Sequence, residues 1–291
     1  RRVKDLNGCA KAEYTTVSDF MKGLEKDVKY PSTYTGELYL ELHRGTLTNQ
    51  HNIKHNNRKS ELALRDLEYL TVSNATKKGE ISSSEKIQPL YETLLMNQFH
   101  DILPGTCIPS AHKLSLEQTG ELIETAGKLI AEAVTGEGNT VTVTNTLSFD
   151  RNDPIFLECE EGLVADIPCK QQSYKNIDGK NVLIISGVTV PAFSTLKINL
   201  VKGTADANSE IVVNENAVST PFADIKFDAK GYIDSFVDKK AGREIRGEGY
   251  PLNTFIIAED LPTAWDNWDV DADIECKFAD RSALISREVV S

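Results

Sequence analysis

The sequence predicts an α+β chain of several domains, a three-helix bundle followed by antiparallel β-sandwich domains. Three observations carry this. Between about residue 53 and residue 135, apolar residues recur at helical spacing. Past Gly136-Glu137-Gly138-Asn139 the pattern becomes alternating, broken by turn residues. The 291 residues suit roughly two domains at about 150 residues each and can bury a core without disulfide or metal staples.

Residues 1–50 are mixed. Residues 19–25 read as a short helix. Glu37-Leu38-Tyr39-Leu40-Glu41-Leu42 alternates and reads as a strand that ends at His43-Arg44-Gly45. Residues 51–136 hold the helices. Ser60-Glu61 opens a run with Leu62, Leu64, Leu67 and Leu70, and Gly79 ends it. Ser82-Ser83-Ser84-Glu85 supplies hydroxyls that can accept from the free amides of a first helical turn. Ile87, Leu90, Tyr91, Leu94, Leu95, Gln98 and Phe99 then follow the i, i+3, i+4 rule, and Pro104-Gly105 breaks the run. Leu114, Leu122, Ile123, Ala126, Leu129, Ile130 and Ala133 form a third, in which Gly120 costs about 1 kcal/mol relative to alanine. Three helices with short connections predict a small antiparallel bundle.

Residues 139–202 predict a small sandwich. The strands are Thr140-Val141-Thr142-Val143-Thr144, Val182-Leu183-Ile184-Ile185, Val188-Thr189-Val190 and Leu196-Lys197-Ile198-Asn199-Leu200, with a hairpin turn at Asn176-Ile177-Asp178-Gly179-Lys180. Residues 203–209 read as a linker. Residues 210–291 start a larger β region with tight turns at Asp228-Ala229-Lys230-Gly231 and Asp238-Lys239-Lys240-Ala241-Gly242. The chain opens Arg1-Arg2-Val3 without an initiator Met and stops in a strand-like run, so a piece of a longer protein is expected.

Charge narrows the function. There are 32 basic and 44 acidic residues, a net charge of −12. Such a surface repels phosphate backbones, so nucleic acid is not an expected partner. No apolar run approaches the roughly 18 residues of a membrane helix, so no membrane partner is expected either. Cys9, Cys107, Cys159, Cys169 and Cys276 are odd in number and widely spaced, which suits free thiols in a reducing, cytoplasmic compartment. Asn74-Ala75-Thr76 is then a chance sequon. Nucleotide and nucleophile-elbow signatures are absent.

Histidine is scarce, with five residues. His100-Asp101 joins an imidazole to a carboxylate at a predicted helix end before an irregular loop, which suits a metal or sugar site. The alternative is a pair complementing the helix dipole. His51 and His55 have i, i+4 spacing but lack a zincin glutamate, and their asparagine-rich neighbours (Asn49, Gln50, Asn52, Asn56, Asn57) read as solvated. His112 reads as surface. His43-Arg44 ends a predicted strand after Glu37 and Glu41, where a site or an exposed ion-pair cluster fits equally well. Trp265-Asp266-Asn267-Trp268-Asp269 is either a sugar-binding surface or a packed β corner.

Three ordered segments resemble the family 38 glycoside hydrolases, the class II α-mannosidases, in their cytosolic and bacterial branch. They are Gly36-Glu37-Leu38-Tyr39-Leu40-Glu41-Leu42-His43-Arg44-Gly45-Thr46 with Asn57-Arg58-Lys59-Ser60-Glu61, then Asn97-Gln98-Phe99-His100-Asp101-Ile102-Leu103-Pro104-Gly105-Thr106, then Trp265-Asp266-Asn267-Trp268-Asp269. The resemblance implies a middle-to-C-terminal piece: the tail of a catalytic barrel over 1–50, a three-helix middle domain over 51–136, and β domains over 139–202 and 210–291. It implies a retaining glycosidase acting on mannose-containing oligosaccharides, with its nucleophile and remaining metal ligands upstream of residue 1. It places a divalent-metal ligand at His100, for zinc or another cation such as cobalt or manganese, and substrate contacts at Asp101, His43 and Arg44. A non-catalytic carbohydrate-binding or structural β module is the alternative. Acidic β-sandwich domains often pack between subunits, so a homo-oligomer is one expected partner state.

Overall fold

The computed structural model describes residues 4–38, 40–134, 138–205, 210–279 and 283–289, leaving aside the side chains of Glu41 and Glu275. Residues 1–41 and 42–291 form two compact units. Of the predicted hinge at 136–139, residues 136–137 lie outside the described residues and 138–139 form a turn; most of the 203–209 linker also lies outside them.

In the first unit, α1 (Val17–Asp27) is opened by the Thr16 hydroxyl, which accepts from the Asp19 amide at 3.1 Å. Its apolar residues Val17, Phe20, Met21 and Leu24 are exposed. The described residues of the run 37–42, in which a strand is expected, form none; Tyr39 lies outside them. Glu37, Leu38 and Leu40 are irregular, and Glu41–His43 is a 3₁₀ turn. Alternation alone does not make a strand, because the ladder needs a neighbour; Leu38, Leu40 and Leu42 are exposed.

The second unit begins with the bundle α2 (His51–Lys78), α3 (Gln88–Asn97) and α4 (Pro109–Ala133). Side-chain bonds fix the directions. Asn56 bonds Thr119 and Asn74 bonds the Ala133 carbonyl, so α2 and α4 run the same way. Tyr91 bonds Glu68 and Gln98 bonds Asn57, so α3 runs against them. Leu64, Leu67, Ile87, Leu94, Leu122 and Ala126 form the core. Each large apolar side chain buried there contributes about 1.5–3 kcal/mol. Leu62, Leu95, Phe99 and Leu114 of the predicted stripes face outward instead. The serine run caps a preceding turn rather than the helix: the Ser83 hydroxyl accepts from the Glu85 amide, whereas α3 starts at Gln88 with a proline in its first turn and no side-chain cap.

The small sandwich follows. Its strands are β1 (Thr140–Thr144), β2 (Ile155–Glu158), β3 (Leu163–Ala165), β4 (Lys170–Lys175), β5 (Asn181–Ser186) and β6 (Thr195–Lys202). They pair antiparallel as β1-β6-β3 and β2-β5-β4. Leu183 and Ile185 of one sheet meet Ala165, Ile198 and Leu200 of the other. Residues 188–190 give only an isolated bridge, Val190 to Arg151. Arg65 of α2 bonds the Thr146 carbonyl at 2.6 Å and Tyr69 stacks on Phe193, which seats the helices on this sandwich.

A five-stranded meander closes the regular structure. It comprises β7 (Val212–Asn214), β8 (Ala217–Ser219), β9 (Ala223–Phe227), β10 (Ile233–Asp238) and β11 (Arg243–Glu244). Both predicted turns are made by aspartates: Asp228 accepts from the Lys230 and Tyr232 amides, and Asp238 from Lys240 and Ala241. After β11 the described residues hold isolated bridges and a 3₁₀ stretch at Ala272–Lys277 but no further strand; of the strand-like end expected over 287–291, residues 287–289 are irregular and 290–291 lie outside the described residues.

Candidate functional site

The polar residues at the end of α3 place the following turn. Asn97, 3% exposed, donates to the Thr93 carbonyl and to Gln118. The Gln98 amide donates to Asn57 at 3.0 Å and Glu61 at 3.1 Å. The Asn57 to Glu61 segment is therefore a polar seam that holds the α3 end against α2. Asn56 and Asn57 are engaged here rather than solvated, because they face α4 and α3.

The chain then turns over residues 98–106, with the Gly105 amide donating to the Ile102 carbonyl at 2.9 Å. In this turn His100 Nε2 lies 3.4 Å from Asp101 Oδ2, and the side chains are 76% and 46% exposed. The Thr106 hydroxyl sits 3.4 Å from the same carboxylate. The His100 ring rests on Phe99, centroids 4.3 Å apart. Backbone amides of Gln98 and Phe99 donate to the Leu94, Leu95 and Met96 carbonyls at the end of α3.

A second pair of segments meets far along the chain. The Gly45 amide donates to the Trp268 carbonyl at 3.0 Å. A β-carbon on Gly45 would lie 3.2 Å from the Asn267 oxygen and from the Trp268 carbonyl carbon. The Asn49 side-chain amide donates to the Asn267 carbonyl at 2.7 Å, and Arg44 Nε donates to Asp269 at 3.2 Å. The His43 ring meets Trp268 edge-on at 4.7 Å and 88°. Its Nδ1 is shielded from solvent without a hydrogen-bond partner. Trp268 is half-buried and packs on His43, whereas Trp265 is 75% exposed.

Lys54 joins the two assemblies. Its Nζ reaches the Asn49 carbonyl and side-chain oxygen at 2.8 and 3.0 Å, and the Leu103 and Pro104 carbonyls at 3.1 and 3.2 Å. Burial holds its pKa below the ordinary lysine range. Gly105 nests against the same place: it has φ +83°, and a β-carbon there would sit 2.6 Å from Asn49 Oδ1 and 2.9 Å from the Gln50 side chain.

The structure therefore pairs His100 with Asp101, and His43 and Arg44 with the 265–269 loop. Among the described residues no direct bond joins the two pairs. His51 and His55 are exposed, and His55 faces Asn56. His112 is half-buried with Nε2 shielded, not on the surface. The five cysteines are free, and burial raises the Cys169 thiol pKa. Sequence reasoning gives Asn49 and Lys54 no role, because they lie in a polar run at the start of α2 that reads as solvent-facing; Gln98 lies at the other end, just past α3, inside the 97–106 segment. A protein zinc site uses three or four protein ligands. Among the described residues no three His, Cys, Asp or Glu side chains are grouped for a metal, and His100 with Asp101 offers two donors, so these residues do not fit a complete centre.

Residues 41–136 match the model of the alpha mannosidase middle domain, and residues 218–291 match that of the glycosyl hydrolases family 38 C-terminal domain. Together the two matches cover more than half of the chain. The chain belongs to glycoside hydrolase family 38. Human alpha-mannosidase 2C1 is 27% identical over 283 residues, covering 93% of this chain and 26% of that protein. Alpha-mannosidase G of Dictyostelium discoideum is 28% identical, covering 92% and 28%. A crystal structure of an alpha-mannosidase from Enterococcus faecalis superposes with a TM-score of 0.53 at 15% identity, over 78% of this chain and 33% of the other; this likeness concerns the fold. The chain thus spans about a quarter of the length of the curated family 38 relatives it matches.

Proposed function

We propose that this chain is the middle-to-C-terminal part of a retaining, metal-dependent α-mannosidase that removes terminal α-linked mannose from glycans or oligosaccharides. The observation that carries the reading is that parts of the three family-like segments 36–46, 97–106 and 265–269 are brought together: Gly45 bonds Trp268, and Lys54 and Asn49 link residues 103–104 to Asn267. The names of the relatives, all alpha-mannosidases, support it.

On this reading the catalytic barrel tail spans 1–50, the middle domain 51–136, and the β domains 139–202 and 210–291. His100, exposed at the turn, is one ligand of a divalent metal, zinc or a similar cation such as cobalt or manganese. Asp101 accepts hydrogen bonds from sugar hydroxyls, and His43 and Arg44 flank the pocket. A retaining glycosidase needs a carboxylate nucleophile and a second carboxylic acid. Neither is assigned here, because the longer protein would supply them with the further metal ligands. Five free thiols fit a cytoplasmic location.

The test uses the longer protein with the upstream domain present. Hydrolysis of a chromogenic α-mannoside is measured with chelator and after His100→Ala. Loss in both supports the reading. Full activity in His100→Ala removes the metal role, and no turnover of any α-mannoside with metal supplied overturns the enzyme reading.

A further inference from the structure

We propose that Lys54 is the positioning residue of the turn that carries His100 and Asp101, and that through Asn49 it ties this turn to the 265–269 loop. What the turn does rests on the reading above; the coupling rests on geometry alone.

An ammonium has three protons, and four oxygens lie within 3.2 Å of Lys54 Nζ, none of them a carboxylate. Two come from Asn49 and two from the Leu103 and Pro104 carbonyls just past Asp101. Without the cation these four dipoles would point their negative ends at one another. Lys54 is thus the electrostatic centre that holds residues 103–104 against the start of α2. Gly105 lets the backbones approach closely enough for this.

The same charge orients the Asn49 amide. Its oxygen and nitrogen are similar in size, so packing alone sets their order weakly. Lys54 offers only donors, so it must face the oxygen. The Asn49 nitrogen is thereby turned to the Asn267 carbonyl at 2.7 Å. One charge on α2 fixes the 98–106 turn directly and the 265–269 loop through an oriented amide.

The test uses isotopically labelled 291-residue chain without substrate or metal. NMR follows the His100 imidazole, the Trp268 indole N–H, the Asn49 side-chain amide, and exchange of the Gly105 amide. In Lys54→Met all four change together, with Gly105 exchange faster by about ten-fold. Asn49→Asp keeps an oxygen for Lys54 but cannot donate to Asn267, so it moves Trp268 while leaving the Gly105 exchange rate near that of the parent. Lys59→Met, an exposed lysine on the same helix, changes none of them. An unmoved Trp268 in Lys54→Met overturns the coupling, and an unmoved His100 with unchanged Gly105 exchange overturns the positioning role. If Lys54→Met does not fold, Lys54→Gln, which removes the charge but keeps a polar side chain, is read by the same four signals with the same expectation. These signals need no turnover, so an inactive longer protein would sink the mannosidase reading while leaving this result in place.

Discussion

The Arg44 guanidinium and the Asp269 carboxylate meet at 3.2 Å across 225 residues of sequence. They sit beside the Gly45 and Asn49 bonds to the same loop, so the ion pair is one of three struts in a clasp between residues 44–49 and 267–269. With Arg44 half-exposed, its strength is that of a surface pair, about 0–1 kcal/mol. A double-mutant cycle with Arg44→Ala and Asp269→Ala, measured by urea unfolding at low and high salt, should give a coupling in that range that shrinks with salt. A coupling of several kcal/mol would mean that the pair is desolvated in solution.

Two glycines with similar backbone angles should respond differently to alanine. Gly179 has φ +74° and open space around it, whereas Gly105 has φ +83° and the Asn49 oxygen where a β-carbon would go. Gly179→Ala should cost only the left-handed penalty, about 1–2 kcal/mol. Gly105→Ala should cost more, about 3 kcal/mol or greater, because a polar contact must also move. Equal losses in denaturant melts would show that the contact at Gly105 yields freely.

In the bundle, Leu64 is fully buried and Leu62 is 40% exposed. Leu64→Ala should therefore destabilise by about 2–5 kcal/mol, and Leu62→Ala by less than about 0.5 kcal/mol. Chemical unfolding followed by circular dichroism checks both, and the reverse ranking would mean that the helix is rotated.

Glu244 should mark the acid limit of the meander. Its carboxylate accepts from the Ser235 hydroxyl at 2.6 Å and from the Phe236 and Arg246 amides at 2.8 and 2.9 Å. These bonds bring its pKa down from 4.5 to about 2. A depressed carboxylate stabilises the fold at pH values above 4.5, and that contribution fades as the pH falls toward 2. Protection of the Phe236 and Arg246 amides, taken relative to the intrinsic exchange rate at each pH, should fall across that window, and Glu244→Gln should flatten the dependence. A pH profile unchanged by Glu244→Gln would remove the role.

The 291-residue chain by itself should neither hydrolyse α-mannosides nor retain zinc through dialysis, because His100 and Asp101 offer two donors where a zinc site takes three or four. Metal analysis after dialysis and a chromogenic assay check this; turnover would place the whole active site within these residues.

The helices were legible because period 3.6 and buried leucines coincide, as at Leu64, Leu67 and Leu94. Residues 37–42 show the limit of that logic, since an alternating run with no neighbour to pair with does not become a strand. β4 was missed for the opposite reason: Lys170-Gln171-Gln172-Ser173-Tyr174-Lys175 is polar but pairs with β5 along its whole length. At the site, His100-Asp101 stood out as a rare pair of residue types. Asn49 and Lys54 did not, because their partners at Leu103, Pro104 and Asn267 are backbone carbonyls, which leave no trace in residue identity.

The clasp also has a temporal side. The bundle is made from neighbours in sequence and can form as soon as Ala133 has left the ribosome. The Gly45 turn must wait for Trp268, and closing so long a loop costs entropy that grows only slowly with its length. Until then the Gly45 amide and the Asn49 nitrogen face water. The last contact made in this region is then the one nearest to the proposed sugar site, and a nascent chain stalled before residue 265 would hold a finished bundle with that end unsealed.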